Sequence, residues 1–111
     1  MTIKITSELE IAKDFSAWPG EQFFSVEIRQ RTTVVNINME HRFYRDVYEP
    51  LLKNANVEAV LAIDMLLTAF AEAESELDND SDKFEEIRSR WGHYISIGCD
   101  CLHEVVKIGR L

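Results

Sequence analysis

Glycine, proline and cysteine are scarce in this chain, with four, two and two copies among 111 residues. The glycines are isolated, so neither GxGxxG nor a P-loop can be drawn, and no nucleotide-phosphate cradle is visible. So few chain breakers, with 46% apolar and 29% charged residues, argue against wholesale disorder and for one domain with a real core. Basic residues are in the minority: twelve Lys and Arg stand against twenty Asp and Glu, a net charge of −8. Without a basic cluster there is no footprint for a phosphate backbone, which sets nucleic acid aside as a partner. Long apolar runs are missing too. The longest, Ala59 to Ala71, contains Asp64 and falls short of the roughly 20 residues a bilayer requires, so no membrane association is expected. Lys4, Glu8, Glu10 and Lys13 interrupt the first stretch, which does not read as a signal peptide. The expected compartment is the cytoplasm, with Cys99 and Cys101 reduced.

What is present is a change of period. Phe23 to Arg29 and Thr33 to Asn38 alternate, and from Phe43 the apolar residues recur at three and four, marking strands that run into a helix. Pairing Val26 with Val35 sets Phe24, Val26 and Ile28 on the same side as Thr33, Val35 and Ile37. The opposite face, with Ser25, Glu27, Arg29, Asn36 and Asn38, reads as solvated. Because Asn and Gly are absent from the centre of the connection, a four-residue loop over Arg29–Thr32 is expected instead of a two-residue primed turn. Upstream, Ser7 and Glu10 have capping-box spacing, and Leu9, Ile11, Ala12 and Phe15 suggest a short helix ended by Trp18-Pro19-Gly20. Ile3 and Ile5 suggest no more than an edge strand.

Helix signals fill the second half. Phe43, Val47 and Leu51 form one row and Tyr44, Tyr48 and Leu52 the next, with a kink or break expected near Glu49 because of Pro50. Val57 to Leu77 is apolar on nearly every side, which calls for more cover than so small a domain contains. Its tail, Glu72 to Asp78, reads as a solvated acidic end, and Asp64 as a residue on a narrow polar edge or in a buried salt bridge to an arginine. The last helix steps by three and four through Phe84, Ile87, Trp91, Tyr94, Gly98, Cys101, Val105 and Ile108, a heptad seam widened by Ile95, Ile97 and Leu102. Gly98 on that seam permits close approach of another backbone, or a bend. Gly109 is placed to cap the end. The expected interface is Trp91, Tyr94, Ile95, Gly98, Leu102 and Val105, the expected partner a second copy.

Chemistry-bearing residues are few. Cys99 and His103 share one helix face and are the weak candidates for a metal, but Cys101 points about 200° away and no further Cys/His pair completes a site. No metal and no cofactor are expected. His41, with Asn38, sits at the strand-to-helix junction, where a polar residue fastens the turn more readily than it serves as a base.

The segment VVNINMEHRFYRDVYEPLL, carrying Asn38, His41, Phe43, Tyr44, Val47, Tyr48, Pro50 and Leu51, resembles part of bacterial and phage ATPases of the gyrase/Hsp90/histidine-kinase/MutL (GHKL) superfamily. There a region after the ATPase domain reads as strand, N-x-x-H-P-F-Y, then helix, and EEIRSRWGHYI resembles the helix that closes it. Arg42 stands where that pattern has proline. The resemblance spans roughly Phe23 to Ile95 and implies an accessory module, not an ATPase. It carries over no catalytic residue. It implies as partner another protein or a covalently linked ATPase domain.

The expected fold is therefore α+β in a single domain: a helical arm over 1–20, an antiparallel β-hairpin over 21–39, and helices over 40–108. Three to four helices cover the hairpin and the last is long. The expected function is a non-catalytic interaction or dimerisation module accessory to a GHKL-type ATPase system. The alternative is a small metal-dependent or thiol enzyme using Cys99, Cys101 and His103, or His41.

Overall fold

The computed structural model describes residues 2–4, 9–77 and 81–108, with side chains on 3–4, 9–77 and 82–102. The fold is α+β: a four-stranded sheet beside helices, the last of them long. The strands are β1 (Thr2–Lys4), β2 (Glu10–Ser16), β3 (Phe24–Arg29) and β4 (Thr32–Asn38), in the spatial order β1-β2-β4-β3. A π-helical turn, Tyr44–Tyr48, leads into α1 (Glu49–Lys53), followed by α2 (Val57–Glu76) and α3 (Ser81–Ile108). Among the described residues no helix is long and apolar enough to cross a membrane.

The hairpin forms in the expected register, with Val26 opposite Val35 and Phe24 opposite Ile37. Its connection is shorter than expected. Arg29 pairs with Thr32, leaving only Gln30 and Arg31 in the turn, at φ 48° and 66°. Both left-handed residues match the twist of the flanking strands, and the sheet imposes that geometry on residues that do not favour it. Gln30→Asn with Arg31→Gly is therefore expected to stabilise the fold by about 1 kcal/mol, read from urea unfolding. Unchanged or lower stability would show that the turn carries no such strain.

The expected N-terminal helix is instead β2. Its first half pairs antiparallel with β1, and its second half pairs parallel with β4, Lys13 opposite Val35 and Phe15 opposite Ile37. The physical reason lies at Lys13. Ile11, Lys13 and Phe15 alternate, and Lys13 interrupts the apolar row in sequence although it points inward, to Tyr48 and Asp64. A single turn or two of helix is marginal by itself, whereas as a strand the segment gains backbone hydrogen bonds from β1 along its first half and from β4 along its second. Ser7 of the capping box, Ile5, Asp78 of the acidic tail and Gly109 lie outside the described residues.

Phe23, Phe24, Val35, Ile37, Tyr44, Tyr48, Val60, Leu67 and Ala71 form the core. Aromatic edges organise it: Phe23 meets Phe43 and Tyr48, and Phe24 meets both Phe70 of α2 and Trp91 of α3. The break expected near Glu49 takes the form of the π turn, in which the Glu49 N–H donates to the Tyr44 carbonyl one residue further back than in an α-helix. Ile28, at the open end of the apolar row, is 58% exposed, because no helix reaches that corner of the hairpin.

The inner face of α2 carries Val60, Asp64, Leu67, Thr68 and Ala71. Met65 and Leu66 remain exposed on the outer face. α2 and α3 do not pair along their lengths; they meet at an ion pair between Glu74 and Arg88. Glu74 is thus not part of a solvated acidic end, since both partners of that pair are largely buried.

Candidate functional site

Asn38 closes β4 and is the hub of the junction. It is fully buried, not on a solvated face. Its Nδ2 donates to the carbonyls of Trp18 (2.9 Å) and Gln22 (2.8 Å), and its Oδ1 accepts from the N–H groups of Trp18 (3.1 Å) and Glu40 (3.0 Å). All four hydrogen-bonding positions of the amide are filled, so one side chain pins the loop over residues 18–22 to the strand-to-helix turn.

His41 continues the junction toward α3. The Phe43 N–H donates to Nδ1 at 3.0 Å, so Nε2 carries the proton and donates to the Gly92 carbonyl, also at 3.0 Å. The Ser96 hydroxyl lies 3.2 Å from the same Nε2. Both ring nitrogens are engaged by the protein and the ring is 3% exposed, which leaves no lone pair for an outside substrate. The role is that of a fastener.

Burial pushes the His41 pKa below the ordinary 6.5, against the opposing pull of the Gly92 and Glu21 carbonyls. With the folded-state value depressed, the unfolded chain takes up the proton first. The contribution of His41 to stability is complete above about pH 6.5 and declines as the pH falls toward the folded-state value, by up to about 1.4 kcal/mol per pH unit. The stability difference between wild type and His41→Gln should shrink between pH 7 and pH 5. A difference independent of pH would refute this assignment.

The rest of the clamp on α3 is also polar. Gln22 donates to the Glu85 carbonyl (3.2 Å) and to the Ser89 hydroxyl (3.3 Å), Arg88 pairs with Glu74, and Arg42 with Asp100. Gly92 rests against the backbone of Glu21 and Phe23. The close approach within the chain is therefore at Gly92, and Gly98 on the seam has open space beside it. Cys99 also faces inward, where burial pushes its thiol pKa up; Cys101 is exposed on another side of the helix. The two thiols do not share a site. Among the described residues no three His, Cys, Asp or Glu side chains converge as a metal cluster would, and the His103 side chain lies outside them.

With α3 held by Arg88, Ser89, Gly92, Ser96 and Cys99, its apolar seam points elsewhere. Tyr94 is 70% exposed, Ile87 42%, Trp91 39% and Leu102 39%. Trp91 is shared, packing edge-on against Phe24 with centroids 5.6 Å apart. Ile95, also expected at the interface, is half-buried on the flank nearer the sheet, and the Val105 side chain lies outside the described residues. The helix is amphipathic in an unusual sense: polar and small residues bind it to its own domain, and apolar ones are left outward.

A second polar cluster links β2 to α2. Lys13 Nζ donates to Asp64 Oδ2 at 2.5 Å and to Tyr48 Oη at 2.9 Å, and Tyr48 Oη donates to Asp64 Oδ1 at 2.5 Å. Asp64 is 3% exposed, so it lies on the buried face of α2, and its partner is a lysine, not an arginine. Burial, together with the Asp64 hydrogen bond, pushes the Tyr48 pKa far up, holding the phenol protonated as the donor. Lys13 and Asp64 form one wall of an open cavity of about 190 Å³ lined mainly by Leu51, Leu52, Val57, Val60 and Leu61. Sequence offered a signal for Asp64, an acid in an apolar helix, but none for Lys13, since the pairing spans 51 residues.

Comparison of the chain with protein-family models, with curated proteins and with solved structures returned no match to any of them.

Proposed function

We propose that this chain is a non-catalytic self-association module that presents the outward seam of α3 to a second copy. One observation carries the reading. The residues at heptad spacing, Ile87, Trp91, Tyr94, Gly98 and Cys101, are exposed, while the opposite stripe of the helix is clamped. An apolar strip of this length is uncommon on a monomer and marks an interaction surface. Charge supports a protein partner over nucleic acid, and the cytoplasm remains the compartment that fits two free thiols.

The test is light scattering at low micromolar concentration. Wild type is expected to be a dimer and Tyr94→Glu a monomer with unchanged circular dichroism, because Tyr94 does little inside its own fold. A monomeric wild type would end the proposal. Service to a GHKL-type ATPase is the narrower part of it, supported by the resemblance of the Asn38–Leu51 segment. Its check is the coding sequence upstream, where an ATPase domain is expected; an unrelated neighbour removes that part alone.

A further inference from the structure

We infer that α3 pairs antiparallel with α3 of a second copy, about a two-fold axis beside Ser96. This rests on the self-association reading above and adds the geometry. Phe84, Trp91 and Gly98 occupy one core position of the heptad, and Ile87, Tyr94 and Cys101 the other. In a parallel pair each residue faces its own copy. Trp91 would meet Trp91 and Gly98 would meet Gly98, giving one overfilled layer and one empty layer along the same seam. Both faults are destabilising.

Reversing one helix exchanges the two core positions. With the axis beside Ser96, Trp91 faces Cys101 of the second copy and Tyr94 faces its Gly98. Each of these layers then holds one large and one small side chain, and the two-fold repeats each pairing. Gly98 has open space around it in its own fold, so it is free to receive the Tyr94 ring. Sliding the second copy by one heptad loses this match, setting Trp91 against Tyr94 in one direction and Gly98 against Cys101 in the other. The flank agrees. Ile97, 45% exposed, meets Ile97 across the axis. A seam complementary to its own reversal selects a second copy as the occupant.

The geometry is read by cross-linking in a Cys99→Ala background. Two copies of position 101 lie ten residues apart along the antiparallel pair, about 15 Å. That exceeds the roughly 7 Å limit for a disulfide, so Cys101 alone should not cross-link under mild copper–phenanthroline oxidation. Trp91→Cys should convert the protein to a covalent dimer with positions 91 and 101 linked, mapped by peptide mass. Should loss of the Trp91–Phe24 contact unfold that variant, Tyr94→Cys with Gly98→Cys in a Cys101→Ala background gives the same reading, because both positions are exposed. A 101–101 linkage without any added cysteine would show parallel helices. A dimer by light scattering that cross-links through neither engineered pair would also overturn the antiparallel seam while leaving self-association standing. A monomer by light scattering defeats both.

Discussion

Gly92→Ala is expected to unseat the last helix from the rest of the fold. On a helix interior this change ordinarily stabilises by about 1 kcal/mol. Here the added Cβ would lie 1.9 Å from the Glu21 carbonyl oxygen, 3.0 Å from its carbon and 3.2 Å from the Phe23 nitrogen. Those are backbone atoms next to the fully buried Phe23, and Asn38 holds the same loop through the Gln22 carbonyl, so the loop cannot yield. The helix must move instead. Its displacement breaks the His41–Gly92 bond and disturbs Gln22–Ser89 and Arg88–Glu74, which depend on the same approach. A net loss of about 3 kcal/mol is expected, at the upper end for overpacking. In thermal unfolding that is a drop on the order of 10 °C. Stability equal to or above wild type would mean that α3 does not dock through Gly92.

The second large effect is expected at Asp64. Replacing it with alanine leaves Lys13 Nζ and the phenol of the fully buried Tyr48 without their shared acceptor. Breaking one side of a buried ion pair costs about 3–5 kcal/mol, because the remaining charge stays desolvated. The combination Lys13→Met, Tyr48→Phe and Asp64→Leu removes every polar member together and is expected to be near neutral or stabilising by about 1–4 kcal/mol. Urea denaturation of the single and triple variants decides the matter. If Asp64→Ala costs less than about 1 kcal/mol, the cluster does not bind β2 to α2. If the triple variant is as unstable as the single one, loss of packing, not of charge pairing, is the cause.

These two positions explain how the seam comes to be exposed. Gly92 and its polar neighbours use the narrow stripe of α3 that has the least apolar surface to offer. The core beneath it is completed mainly by α2, secured to the sheet by Asp64, and α3 adds the Trp91 edge on Phe24. Its aromatic side, apart from the Trp91 contact with Phe24, is left exposed.

Local sequence determined the elements whose signal is periodic and self-contained. The register of β3 with β4 followed from alternation, since a slip of one residue would turn Val26 and Val35 outward. The departure from α-helical bonding just before Pro50 followed from a missing N–H. The heptad seam of α3 followed from spacing alone, over a helix whose 28 residues, about 42 Å, account for the longest dimension of the domain at 44 Å. What escaped sequence depends on partners distant in the chain. Glu10–Ser16 became a strand because β4 offered it hydrogen bonds and Asp64 received its inward lysine, and neither is visible within a local window. Gln30 and Arg31 took left-handed conformations because the paired strands demanded the twist. Gly92 and Gly98 are equivalent in composition and both helical. Only the position of the Glu21 backbone, fixed by Asn38 and the packing of Phe23, decides that the first is filled by the protein itself and the second is left open.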